Sequence, residues 1–180
     1  MSLRLPGHEE LPSLETPLEM LLACHGRVRK FCHVIQQLVT HLPQHGLTAD
    51  ARQAAGNVIR YFDLAAPRHH ADEEDDLFPA LLLAAGEQVE FAAMRAALLA
   101  LQHEHEPLGL LWQQLRPRLQ AIHDGHWLEL NEGELASRFA ADYIAHAARE
   151  EAEVYPAATQ LLSTDVLARI AEQMVARRRH

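Results

Sequence analysis

Two stretches of this chain, far apart in the sequence, superpose without a gap. His69-His70-Ala71-Asp72-Glu73-Glu74 runs on to Phe78-Pro79-Ala80, and His146-Ala147-Ala148-Arg149-Glu150-Glu151 runs on to Tyr155-Pro156-Ala157. His69 falls on His146, Glu73 on Glu150, Glu74 on Glu151 and Pro79 on Pro156. An aromatic residue precedes each proline, and Phe62 and Phe139 lie seven residues before their histidines. A helix brings residues i and i+4 onto one face, so each copy demands a helix that presents an imidazole beside a carboxylate. One such pair is ordinary. Two inside a repeat read as the two halves of a metal site.

The rest of the chain supplies helices to surround that pocket. Residues 1–15 form an irregular lead-in rich in Pro and Glu. Thr16-Pro17-Leu18-Glu19 is a capping box with proline at the first helical position. Leu18, Leu21, Leu22, Val28, Phe31, Ile35, Leu38 and Leu42 recur at helical spacing, predicting a first helix over 17–42, ended by Pro43 and Gly46. Thr48 opens a second helix running to Ala85, with Gly86 closing it and Pro67 predicting a kink or brief interruption. A third covers 88–123, with bends expected at Pro107 and Pro117. Asn131-Glu132-Gly133-Glu134 reads as a capping box launching a fourth helix to Leu162, and Ser163-Thr164-Asp165 caps a shorter fifth over 165–177. The fold class is therefore all-α: an up-down-up-down antiparallel four-helix bundle over 16–162, with an extra C-terminal helix and basic tail over 163–180. With no dividing linker, residues 1–180 read as one domain.

Composition narrows the function. A net charge of −9 argues against a general nucleic-acid binder. Arg177-Arg178-Arg179 is instead expected to complement the negative end of the last helix. No uninterrupted apolar run of about 18 residues is present, so no membrane span is predicted. Glu9, Glu10 and several prolines stand where a signal peptide would be apolar. Cys24 and Cys32 lie about 12 Å apart along one helix, too far for a mutual disulfide. The expected compartment is the reducing cytoplasm.

Thirteen histidines against sixteen Lys plus Arg is a large share of imidazole. A bundle builds metal sites from facing helices, so the first and third helices should contribute as well. His25 has apolar partners Leu21, Leu22, Val28 and Cys32 at helical spacing, and His105 has Leu98, Leu101, Leu108, Leu111 and Trp112, so both are expected to face the core. His103 should face elsewhere. The candidate set is His25, His69, Glu73, His105, His146 and Glu150. Four imidazoles and two carboxylates suit two borderline metal ions a few ångströms apart, with a replaceable position where O2, NO or peroxide could enter. His70 and Glu74 form a rival i,i+4 pair. Ala147 at the equivalent of His70 favours the His69–Glu73 register, and the sequence leaves His70 and Glu74 either replacing or supporting it.

The pattern resembles the hemerythrin-like, HHE cation-binding family. The matching segments are Cys24-His25, His69-His70-x-x-Glu73-Glu74-x-x-Leu77-Phe78-Pro79, Glu104-His105 and His146-x-x-x-Glu150-Glu151. The resemblance implies a four-helix bundle with two non-haem iron ions, a solvent-derived oxo or hydroxo bridge, and metal-ligand roles for the six residues named. Oxygen-carrying members add a fifth histidine through a His-x-x-x-His pair on the third helix. Here Leu101 and Gly109 flank His105 at that spacing. Sensing, storage, iron handling or scavenging is expected over reversible oxygen carriage.

Plainer roles fit the other residues. Glu74 and Glu151 read as groups orienting imidazoles or as solvated charges. Cys24 and Cys32 read as small core residues, and Tyr61 and Tyr143 as core packing. Phe62, Phe139, Phe78 and Tyr155 read as the dry wall around the site. Histidines 8, 33, 41, 45, 123, 126 and 180 are expected in loops or facing solvent. The functional expectation is a metal- and small-ligand-binding protein rather than an enzyme, its protein partner unknown. The alternatives are a di-iron peroxidase or nitric-oxide-handling enzyme, and a metal-stabilised interaction module. Structural zinc prefers four ligands rich in Cys, and manganese suits so many imidazoles less well.

Overall fold

A computed structural model describes residues 17–179 of the chain. The lead-in 1–15, the expected cap Thr16, and His180 lie outside the described residues. Among those described there are helices and no strand. The fold is an all-α bundle of four long helical rods with a shorter C-terminal helix.

The first rod is α1 (Pro17–His45). It runs past Pro43 and stops at Gly46, whose φ of 70° is a left-handed conformation that glycine adopts without steric cost. Proline in the last turn loses one ladder bond without ending the helix, which corrects the expected stop at residue 42. The second rod begins when the Thr48 side chain accepts from the Ala51 N–H. It consists of α2 (Ala49–Arg60), a π turn at Tyr61–Ala65, α3 (Ala66–Ala71), a second π turn at Asp72–Leu77, and α4 (Phe78–Ala85).

Each π turn closes one residue before a proline. The Ala66 N–H bonds the Tyr61 carbonyl ahead of Pro67, and the Phe78 N–H bonds the Glu73 carbonyl ahead of Pro79. Proline cannot donate to the ladder, and its ring opposes the carbonyl four residues back. A widened turn absorbs that conflict while the rod continues. The anticipated kink at Pro67 is thus one of two such turns. The third rod, α5 (Ala92–Asp124), follows a 3₁₀ turn at Val89–Phe91 and continues unbroken through Pro107 and Pro117.

The fourth rod departs most from expectation. The capping box at Asn131 does not form, because Gly133 and Glu134 both take positive φ within the 3₁₀ turn Glu132–Glu134. Asn131 Oδ1 reaches further and accepts from the Ser137 N–H at 2.9 Å, capping α6 (Leu135–Glu153). Val154 then breaks the rod before Pro156, and α7 (Tyr155–Leu161) completes it. Ser163 caps α8 (Thr164–Arg178) as expected, accepting from the Val166 N–H.

The described residues divide into two compact units, one of 26–66 and 106–145, the other of 17–25, 67–105 and 146–179. In the first, Val28, Ile35, Val58, Leu115 and Leu119 surround an aromatic group in which Phe62 meets Phe139 edge-on, ring centres 5.0 Å apart. Tyr61 and Tyr143 belong to this core, as do Phe62 and Phe139, which the sequence reading had placed around the site. In the second, Leu21, Leu77, Leu81, Leu98, Leu101 and Val154 form the core, joined by Ile170 and Met174 of α8. Burying each such side chain contributes roughly 1.5–3 kcal/mol. The polar residues of the candidate site gather in that same second unit.

Candidate metal centre

All six expected residues lie in the second unit and are buried: His25 on α1, His69 on α3, Glu73 in the second π turn, His105 on α5, and His146 with Glu150 on α6. One ligand atom each from His25, His69, Glu73 and Glu150 lie within 4.8 Å of one another. A second group consists of His70, His105 and His146, gathered within the same limit.

The two carboxylates span the two groups. Glu150 Oε2 lies 3.0 Å from His25 Nε2, while its Oε1 lies 3.0 Å from His146 Nε2 and 3.7 Å from His105 Nε2. Glu73 Oε2 lies 3.6 Å from His69 Nε2 and 4.0 Å from His105 Nε2. Glu73 Oε2 and both Glu150 oxygens nevertheless lack a hydrogen bond. A buried polar atom in that condition costs about 1–3 kcal/mol. A cation among these lone pairs would satisfy them together, and the donor set fits iron.

His70 is the residue the repeat had set aside. Its ring stacks on that of His105, centres 3.9 Å apart and planes within 6°. His69 and His70 are about 100° apart around the helix, which lets one rod serve both groups. The signal was present in the His-His doublet. Alignment with Ala147 hid it.

Three imidazoles are held from behind by carboxylates. His25 Nδ1 meets Glu151 Oε1 at 3.0 Å, His146 Nδ1 meets Glu104 Oε2 at 3.0 Å, and His105 Nδ1 is in close contact with Glu74 Oε1. Such a partner fixes the tautomer and aims Nε2 inward. Glu74 and Glu151 match one of their two expected roles. Glu104 had no assigned role, though it adjoins His105 as Glu74 adjoins Glu73. Arg149 bonds Glu104 in turn.

Burial and the neighbouring His25 push His69 down to about 3. Burial and His105 hold His70 well below its usual value. Both rings are neutral, as a metal ligand must be. Burial and the Glu150 charge push Glu73 well above the carboxylate range. Burial also opposes charge on Glu150, but His105, His146 and His25 outweigh it and hold that carboxyl well below its usual range. On His146 burial is outweighed by Glu150 and Glu104, which raise it. The Tyr155 hydroxyl is pushed well up by burial and the nearby Glu73 and Glu150.

A family model described as the hemerythrin HHE cation-binding domain matches residues 16–158. The chain belongs to that family. An uncharacterized protein of Haemophilus influenzae is 31% identical to this chain over 170 residues, covering 94% of each. Family membership makes this a metal-binding protein, and the His/Glu cluster of the second unit is where an ion could be held.

Other expectations fall into place around this cluster. His103 is exposed. Cys24 and Cys32 are both buried, and burial pushes the Cys32 thiol up to about 12, which makes it inert. Phe78 does wall the site, its ring 6.5 Å from that of His105. Tyr155 does more than that: its hydroxyl enters the polar cluster. No helix among the described residues is long and apolar enough to cross a membrane.

Proposed function

We propose that the whole chain acts as one domain holding a non-haem di-iron centre, which takes O2, NO or a peroxide as ligand in sensing, storage or scavenging. His25 and His69 would hold one iron, and His105 and His146 with His70 the other, with Glu73 and Glu150 between the two groups of imidazoles. The carrying observation is the set of three unbonded carboxylate oxygens among converging imidazoles. Two irons with a solvent-derived oxo or hydroxo bridge would supply the redox-active position for the ligand. Glu74, Glu104 and Glu151 keep three rings aimed, while the apolar side chains of the second unit exclude water. His70 would supply a fifth imidazole from a rod other than the third. The acidic chain fits a cytoplasmic setting without nucleic-acid or membrane partners.

The test is metal analysis of protein expressed with added iron, with optical spectra before and after reduction. The expected result is about two irons per chain and near-ultraviolet ferric bands that disappear on reduction and return with air. A folded protein that takes up no iron, aerobically or from ferrous salt under nitrogen, would falsify the proposal.

A further inference from the structure

The repeat that builds the centre is unequal at one position. Phe78 and Tyr155 occupy equivalent places before Pro79 and Pro156. Each lays its ring near the imidazole of a rod outside the repeat. Phe78 faces His105, centres 6.5 Å apart with planes within 16°, and Tyr155 faces His25, centres 5.4 Å apart with planes within 12°. The rings are matched, so packing alone would be served by phenylalanine at either place. The hydroxyl is what differs.

That hydroxyl is buried in the polar cluster. It donates to Glu73 Oε1 at 2.9 Å and lies 3.2 Å from His25 Nε2. A phenol carries one proton and can donate one hydrogen bond. With the proton committed to Oε1, only Oε2 of Glu73 is left unbonded, between His69 and His105. Glu150 has no such partner. Both its oxygens are unbonded, Oε2 toward His25 and Oε1 toward His146 and His105.

Resting on the metal centre proposed above, we infer that Tyr155 is a positioning residue. It reserves Glu73 Oε1 for a hydrogen bond, so that Oε2 is the oxygen Glu73 would offer a metal, while Glu150 would offer both. The two carboxylates of a nearly symmetric repeat thereby become unlike ligands. The tyrosine would withhold one carboxylate oxygen from the metal.

Cobalt(II) titrated into the metal-free full chain tests this, because its visible bands weaken as coordination number rises. Tyr155→Phe is the informative variant, since phenylalanine already fills the equivalent place. The expected result is unchanged cobalt stoichiometry with a fall in visible absorptivity, as the freed Oε1 joins the metal. A spectrum superimposable on wild type overturns the assignment while leaving the metal centre standing. Failure of the wild type to bind cobalt or iron overturns both. In the ferric protein, a visible charge-transfer band lost in Tyr155→Phe would make the phenolate a ligand and also overturn the assignment. Should the variant not fold, the zinc-loaded wild type with isotope-labelled tyrosine decides. A hydroxyl proton resonance protected from exchange is expected, and its absence overturns the assignment.

Discussion

A cation asks its imidazole ligands to be neutral and its carboxylate ligands to be charged, and burial favours only the first of these. His69, pushed down to about 3, and His70, held well below its usual value, are ready for a metal. Glu73 and His146 are not, since both are shifted up and retain protons longer than in water. Coordination must displace those protons. Raising the pH removes them beforehand and lowering it restores them, so metal affinity should rise with pH and uptake should release acid. A competition titration with a chromophoric chelator on either side of neutrality, with weakly buffered proton release followed alongside, checks both. Affinity that falls with pH would contradict this account. His70 gives a second prediction at this scale. Substituting it by alanine should lower iron content from about two toward about one per chain, while His103→Ala should change nothing.

The repeat makes His69, Glu73, His146 and Glu150 legible, since His-x-x-x-Glu twice over leaves little choice of face, and apolar neighbours at helical spacing do the same for His25 and His105. His70 was obscured because a one-to-one alignment assumes that the two halves do the same work. Glu104 was obscured for another reason. A carboxylate behind an imidazole is recognised by where it ends up, and the sequence places it only beside the histidine. Tyr155 was read as wall because its ring does pack as Phe78 does; the hydroxyl's partner, Glu73, lies on another rod.

At the scale of elements, both widened turns carry an aspartate gripped by arginine. Asp63 accepts from Trp112 Nε1 at 3.0 Å and from Arg116 Nε at 2.9 and 3.0 Å. Asp72, fully buried, accepts from Arg177 at 2.5 Å and from Arg178, and Arg177 also bonds Asp76 at 2.9 Å. The basic end of α8 was expected to answer its own helix dipole. Arg178 does bond the Met174 carbonyl, but the main partners of both arginines are these aspartates. Removing the cations strands a buried carboxylate, at a cost of about 3–5 kcal/mol. Arg177→Ala with Arg178→Ala should therefore lower the urea midpoint strongly. Asp72→Asn, which removes the charge with the partners kept, should lower it less. Equal, small losses would show that α8 is not clamping the turn that carries Glu73.

At the scale of the molecule, hydrophobic spacing together with cap signals is enough to place four rods and a shorter C-terminal helix, because long periodic segments leave few alternatives. Their interruptions were harder. Pro67 was visible as a disturbance, yet a π turn, a kink and a break all answer a proline. Which one forms depends on the packing either side. Metal belongs to this scale too, since binding to the native state alone stabilises the whole fold by mass action. Chelation should lower the melting temperature, and readdition of iron should restore it. Indifference to chelation, in protein shown to have carried metal, would mean that the bundle holds its form without help.

The two π turns have a consequence for anyone measuring this chain with a ruler of residue counts. Each admits an additional residue into a rod that otherwise advances evenly. Trimming one residue from either would restore a regular helix and swing everything beyond it by roughly 100°, carrying His69 or α4 away from its present heading. A shortened homologue that looks intact by composition could therefore have lost its bearings, and a lengthened one could have found them.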